Sequence, residues 1–295
     1  MREFYEVRQR LPFRRLADPA LRVPEWDRNI GIRDVSDPKN SIKADFSAFF
    51  FSQSSVFPTL PTPYGKFSRM PNFFIGIDEA GLAPNLGPLV ITATLWELPG
   101  PLSSHDVWDS FNGILDQRPS RTAATLHIAD SKQVHQPQKG IRALERGVLS
   151  ALRTIALAPA NLEELWAALS PEGRLEFRAE PWNCEQEYSL PLAADPVDIQ
   201  FHGQRWKSRS DSTGVRLAQI RSEVVSTARY NRLVEQYQNK SIVLSKLSLG
   251  LLRTFWNPHD DDHCLIISDK HGGRNRYDDL IREIAGEETI HCDVE

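Results

Sequence analysis

The 295-residue chain has few cysteines, few methionines and no strong excess of charge of either sign. Its three cysteines, Cys184, Cys264 and Cys292, lie far apart and form no Cys-x-x-Cys pair, which excludes the common structural zinc and redox motifs. No apolar run approaches the ~18 residues that a membrane span requires. The formal net charge of −4 gives no general attraction for phosphate. Affinity for nucleic acid would therefore need local basic patches or bound cations.

The N-terminus also lacks the continuous apolar segment of a secretory signal. Together with the isolated cysteines, this predicts reduced thiols and a cytoplasmic protein that is not attached to a membrane. The segment 83–88 has neither the glycine spacing nor the Lys-Ser/Thr pair of a phosphate-binding loop, so that motif is excluded as well. Nothing in the composition indicates an obligate protein partner.

Residues 1–70 differ from the rest because they show no sustained helical or strand periodicity, and 52–71 is rich in serine and proline. We predict a disordered extension there. Alternatively, translation starts at Met70, since Met1 and Met70 are the only methionines. Residues 71–295 are expected to form one α/β domain.

Within this domain, the apolar runs FFIGI and LGPLVITATLWEL predict a β-hairpin. The run CLIIS predicts a buried strand, and the final segment ETIHCDVE predicts another. Residues 171–213 contain several prolines and short extended runs, which indicate a loop-rich insertion. Helices are predicted at 141–152, 161–169, 215–237 and 241–256, with a short one before Gly286. The pattern is typical of a mixed β-sheet flanked by helices.

Two predicted strands end in acidic residues. Asp78 and Glu79 follow FFIGI directly, and Asp269 ends the strand CLIIS. If the two strands lie side by side, the three carboxylates converge, and clustered carboxylates are the ligands that Mg²⁺ or Mn²⁺ prefers. Lys270, Arg274 and Arg276 would then be placed to meet phosphate. The alternatives are a solvated turn after the first strand and a helix-capping aspartate after the second.

These residues carry a family resemblance. GIDEAGLAPNLGPLV resembles the signature of type 2 ribonuclease H, and ADSKQV at 129–134, RYNRLVEQYQNKSIVLSKLSLGLLRTFW and CLIISDK resemble later segments of that family in the same order. The resemblance covers roughly 72–170 and 215–295. It implies a ribonuclease H-like fold, in which Asp78, Glu79 and Asp269 are catalytic metal ligands and Lys132 contacts the nucleic-acid backbone.

The family uses four acidic residues, and the resemblance places the fourth on the last predicted strand. We expect Glu295 to be this metal ligand, with Asp293 as the alternative. The chain departs from the family pattern at Leu82 and Ala83, which replace an Arg-Gly pair, and it ends before the family's last helix.

The primary functional hypothesis is a metal-dependent endonuclease that hydrolyses the RNA strand of RNA–DNA hybrids with two cations. The alternatives are a nucleic-acid-binding protein that has lost catalysis and a different nuclease or phosphotransferase on the same fold. The acidic run HDDDH at 259–263 is interpreted as a solvated turn. The basic and aromatic run WKSR at 206–209 fits either a single-strand-binding surface or an ordinary polar loop.

Overall fold

The computed structural model describes residues 2–7, 73–81, 87–100, 107–119, 124–135, 140–180, 188–255, 264–269, 271, 277, 279–280, 282 and 290–294. It is a mixed α/β fold in which a six-stranded sheet, with strand order β6-β3-β2-β7-β1-β8, carries helices on its faces. The strands are β1 (Arg2–Val7), β2 (Phe73–Ala80), β3 (Leu89–Glu97), β4 (Leu115–Asp116), β5 (Leu126–His127), β6 (Arg216–Val225), β7 (Cys264–Asp269) and β8 (Ile290–Val294). The helices are α1 (Val107–Ser110), α2 (Ser131–Val134), α3 (Arg142–Thr154), α4 (Leu162–Leu169), α5 (Pro171–Arg178), α6 (Pro196–Thr213), α7 (Thr227–Tyr237) and α8 (Lys240–Leu252). Strands β4 and β5 pair separately as a short parallel ladder.

The predicted hairpin is confirmed: β2 and β3 pair antiparallel along their whole length, from Phe73 opposite Glu97 to Ala80 opposite Val90. The predicted strand β7 lies on the other side of β2 and runs parallel to it. The helices predicted at 141–152, 161–169 and 241–256 correspond to α3, α4 and α8. Asn161 caps α4 by accepting a hydrogen bond from the amide of Glu164 at 2.8 Å, as its position before the apolar stripe predicts.

The single helix predicted over 215–237 is wrong. Residues Arg216–Val225 form the edge strand β6, and only Thr227–Tyr237 is helical, with Ser226 as its N-cap. The error has a physical origin, because the β3–β6 pairing shifts by one residue opposite Leu95 and Trp96. This irregularity makes Leu217 and Ile220 share one face at a spacing of three, which mimics a helical repeat.

The loop-rich insertion predicted over 171–213 is also wrong, because the described part of this range is largely helical in α5 and α6. Helix α6 has the expected end signals, since Asp195 caps it, Pro196 opens it and Gly214 closes it with a φ of 77°. Its buried face includes polar and small residues, so the sequence shows no clear apolar repeat at helical spacing. The residues buried along it are Ile199, His202, Gly203, Trp206 and Ser210.

Residues Arg2–Val7 lie in the sheet as β1, between β7 and β8 and antiparallel to both. The prediction of a disordered extension is therefore wrong for these six residues, whose pairing with distant strands leaves no trace in local periodicity. Residues 8–72, including Met70, lie outside the described part of the chain. The last predicted strand is present as β8. Of the short helix predicted before Gly286, only 279, 280 and 282 are described, in helical conformation.

The sheet separates two hydrophobic cores. One contains the α3 and α6 side chains that pack on Phe74, Trp96 and Leu217, and the other contains the α7 and α8 side chains that pack on Ile75 and Ile77. Trp206 is fully buried in the first core, with its ring 6.5 Å from that of Trp96. None of the described helices is long and apolar enough to span a membrane.

Helices α3 and α6 are joined by a buried carboxylate. Glu145 of α3 is 1% exposed, and its oxygens accept hydrogen bonds from the amides of Leu192, Ala193 and Ala194 just before α6. A buried anion is stable only when its oxygens are satisfied in this way. The carboxylate thus anchors the segment that leads into α6.

We predict that Glu145→Gln lowers the free energy of unfolding by about 3 kcal/mol, because an amide group replaces an acceptor that faces backbone N–H donors. Urea titration followed by circular dichroism measures this change. The matched control is Glu235→Gln on the exposed face of α7, which should stay within about 0.5 kcal/mol of the parent. Equal stability of both variants would contradict the anchoring role.

Candidate acidic site at the ends of two central strands

Asp78 and Glu79 lie at the carboxyl end of β2, and both are half-buried. Because successive residues of a strand alternate between faces, Asp78 shares a face with Phe74, and Glu79 shares the opposite face with Ile77. The two adjacent carboxylates therefore have different surroundings. Asp78 belongs to the side that carries α3 and α6, and Glu79 to the side that carries α7 and α8.

The carboxylate of Asp78 is held close to its own backbone, since Oδ1 accepts a hydrogen bond from the Glu79 amide at 2.9 Å. Asp78 is opposite Thr92 of β3, which is in turn opposite Ser222 of β6. The Thr92 and Ser222 hydroxyls are hydrogen-bonded at 2.9 Å and are almost completely buried. A polar row thus crosses three strands at the level of Asp78. The sequence pattern does not reveal this hydroxyl pair, because it predicts a helix where Ser222 lies on strand β6.

The parallel pairing of β2 and β7 brings the two predicted acidic strand ends together. Ile77 is the partner of Ser268 in this register, so the next step along both strands sets the backbone of Asp269 alongside that of Asp78. Neighbouring strands lie about 4.8 Å apart. The convergence of carboxylates depended on these two strands lying side by side, and the β2–β7 pairing meets that condition.

The last strand occupies a different place from the one expected. Asp293 of β8 pairs with Phe4 of β1, and β1 separates β8 from β7. The backbone of Asp293 is therefore two strand spacings from β7 and three from β2, which is about 14 Å. This distance is too large for Asp293 to share a cation with Asp78 in this arrangement. The first choice for the fourth ligand, Glu295, lies outside the described residues.

The predicted phosphate-binding residues divide into two groups. Lys132 is exposed in the first turn of the four-residue helix α2, where its amide donates to the capping carboxylate of Asp130 at 2.8 Å. Lys270, Arg274 and Arg276 lie outside the described residues, as do Leu82, Ala83 and the acidic run 259–263.

The basic and aromatic run 206–209 does not form a nucleic-acid surface of the single-strand type. Trp206 is in the core, and so offers no exposed ring for base stacking. Arg205 donates to the carbonyl oxygens of Gly113 and Ala124, and Arg209 donates to that of Asn112. These side chains therefore hold the backbone at Asn112, Gly113 and Ala124 against α6.

Residue His271, two positions after Asp269, is buried and attached to α8. Its ring Nδ1 lies 3.0 Å from Ser245 Oγ, and its carbonyl oxygen accepts a hydrogen bond from the hydroxyl of Ser241 at 2.7 Å. Its amide donates to the hydroxyl oxygen of Tyr277 at 2.8 Å. The chain that leaves β7 is thus connected to the helix layer behind the sheet. In the sequence, nothing distinguishes this histidine from the other polar residues that follow the strand.

Burial shifts the pKa values of a glutamate and a histidine that lie away from the acidic pair. Burial raises the pKa of Glu176 on α5, an effect that Arg229 opposes and Glu223 reinforces. Burial also lowers the pKa of His127, while its hydrogen bond to the Gln117 carbonyl works in the other direction. In each case burial shifts the pKa in the direction that disfavours the charged form. Neither contributes a carboxylate to the polar row at Asp78.

Among the residues that the structure describes, no three His, Cys, Asp or Glu side chains are grouped closely enough to hold a metal ion. The side chains of Asp269 and Glu295 are outside that description. The described part of the site therefore consists of the Asp78 and Glu79 carboxylates and the neighbouring backbone of Asp269. No protein-family model, curated protein or solved structure gives a significant match to this chain.

Gly81 terminates the acidic strand in a conformation that only glycine adopts readily. Its φ is 80°, and a Cβ added there would lie 2.6 Å from the carbonyl oxygen of Pro88. The two ends of the hairpin connection consequently approach each other closely next to Glu79. Thr227, at the start of α7, donates its hydroxyl to the carbonyl of Gly87 and supports the same connection.

We predict that Gly81→Ala destabilises the protein by more than about 2 kcal/mol, because left-handed strain and a backbone clash act together. Gly87→Ala, with a φ of 95° but open space around its Cβ, should cost about 1 kcal/mol from strain alone. Gly250→Ala in α8, which is also open, should stabilise by about 0.5–1 kcal/mol. Thermal unfolding of the three variants measures their order of stability. A different order would contradict the close approach of the backbone at Gly81.

Proposed function

We propose that this chain is a divalent-metal-dependent nuclease with a ribonuclease H-like fold, and that Asp78 and Asp269 form the centre of its site. The observation that carries the proposal is the parallel register of β2 and β7, which sets the backbone positions of these two residues side by side. The mixed sheet with helices on its faces is the architecture that the sequence resemblance implies. The proposed substrate is the RNA strand of an RNA–DNA hybrid.

The available donor atoms suit a hard cation. Carboxylate oxygens are preferred by Mg²⁺ and Mn²⁺, and the residues across from Asp78 in β3 and β6 carry buried hydroxyls. Asp78 and Asp269 would hold the cation, and Glu79 would reach it around the strand end from the opposite face. When bound, such a cation supplies Lewis-acid stabilisation of phosphate charge.

The protein's own contribution is the fixed position of its acceptors. The Glu79 amide restrains one oxygen of Asp78 at 2.9 Å. The cross-strand row on the same face contains hydroxyls that donate as well as accept hydrogen bonds. Lys132, Lys270, Arg274 and Arg276 are the proposed contacts to the nucleic-acid backbone.

Asp78→Asn should abolish Mn²⁺ binding and raise the melting temperature in the absence of metal. Asparagine keeps an oxygen for the Glu79 amide, so the variant removes the charge and its repulsion from nearby carboxylates without removing the hydrogen bond. Calorimetric titration with Mn²⁺ and thermal unfolding in EDTA measure the two effects.

Asp116→Asn is the matched control, because Asp116 also ends a strand and accepts a backbone N–H at 2.9 Å, from Arg118. It should change neither Mn²⁺ binding nor metal-free stability. Retention of parental Mn²⁺ affinity by Asp78→Asn would remove Asp78 from the proposed site.

The proposed reaction is tested by a cleavage assay on four substrates: an RNA–DNA hybrid, a duplex with a single ribonucleotide, plain DNA and plain RNA. We expect cleavage of the hybrid with Mg²⁺ or Mn²⁺, none with EDTA, and none by Asp78→Asn or Asp269→Asn. Binding of hybrid without cleavage would instead support the non-catalytic alternative, which the replacement of Arg-Gly by Leu82-Ala83 favours. Neither binding nor cleavage of any nucleic acid would refute both.

A further inference from the structure

His271 lies at the junction between the acidic strand end and the helix layer. It is 2% exposed, and its ring, amide and carbonyl all take part in hydrogen bonds. A buried polar residue is expected to have its polar groups hydrogen-bonded. What distinguishes this one is where its partners lie: Ser241 and Ser245 belong to α8, whereas Ser268 belongs to β7 and immediately precedes Asp269.

Both ring nitrogens of His271 lie close to serine hydroxyls. Ser245 Oγ donates its single proton to the carbonyl of Ser241 at 2.9 Å, so it must accept a hydrogen bond from His271 Nδ1–H. Nε2, on the other side of the ring, lies 3.4 Å from the Ser268 hydroxyl. The imidazole therefore bridges α8 and the last but one residue of β7.

The bridge attaches to β7 next to Asp269, at the end of the strand that lies beside Asp78. Ser268 is the register partner of Ile77, the residue before Asp78. Any movement of the carboxyl end of β7 away from α8 would change the separation of the Asp78 and Asp269 backbones. Apolar residues of β7 and α8 belong to the same hydrophobic core, and the polar bridge extends this attachment to Ser268 near the end of the strand.

We propose that His271 is a positioning residue, which acts through Ser245 and Ser268 to fix the end of β7 that carries Asp269. The assignment rests on the proposed metal-dependent function, because it concerns the geometry of the same site. Residues that orient metal ligands from behind typically contribute about 10-fold to 100-fold in metal affinity. His271 itself is not a ligand, since Nδ1 and Nε2 both face serine hydroxyls.

The chain offers a matched pair of variants on one helix. Ser245 and Ser248 are both buried in α8, but Ser245 contacts the His271 ring, whereas the Ser248 hydroxyl has no hydrogen-bond partner among the described residues. Ser245→Ala breaks the bridge at a point remote from the carboxylates. Ser248→Ala removes the same atom from the same environment without breaking a hydrogen bond.

We predict that Ser245→Ala weakens Mn²⁺ binding about 10-fold and that Ser248→Ala leaves it unchanged, as measured by calorimetry on the full chain well below the melting temperature. His271→Asn should weaken binding less than His271→Ala, because an asparagine amide can still donate to Ser245 from near the Nδ1 position. Thermal unfolding in EDTA reports separately on stability.

The outcomes are distinct. Lower stability of Ser245→Ala and His271→Ala with parental Mn²⁺ affinity would overturn the positioning role and leave the proposed function intact. Equal affinity losses for Ser245→Ala and Ser248→Ala would also overturn it. Absence of Mn²⁺ binding by the parent, or parental binding by Asp78→Asn, would refute the proposed metal site and the positioning role together.

Discussion

The parallel pairing of β2 with β7 is the constraint on which the rest of the structure depends. It joins segments that are far apart in sequence, with Phe73 beside Cys264 at one end and Ile77 beside Ser268 at the other. Parallel strands need a long crossover connection. Here the intervening chain supplies β3, β6 and the helices on both faces, and so the same segment that permits the pairing also covers the sheet.

The helix layers on the two faces of the sheet are attached by different interactions. On one face, aromatic packing of Trp96 and Trp206 is combined with the buried Glu145 carboxylate, which holds the chain before α6. On the other face, α8 packs through aliphatic side chains and makes polar contacts to His271 near the end of β7. The polar attachments occur where the chain enters or leaves regular structure, because backbone groups there lack partners within a helix or sheet.

Much of the fold could be predicted from local patterns. FFIGI, LVITATLWE and CLIIS are short, apolar and rich in β-branched residues, and all three are strands. The prediction failed where the tertiary contact modifies the pattern. In β6, an irregularity in the pairing with β3 disrupts the alternation of buried residues, and in α6 the buried face includes a histidine, a glycine and a serine.

For the candidate site, the sequence by itself determined that acidic residues follow two apolar strands, because strand propensity and the high cost of burying unpaired charge are local properties. Only the tertiary structure decided which strand ends lie together. It sets Asp269 beside Asp78, places Asp293 beyond β1, and connects His271 to Ser245 of α8. Such pairings depend on strand order and register, which arise from the packing of distant segments and have no counterpart in the periodicity of any one of them.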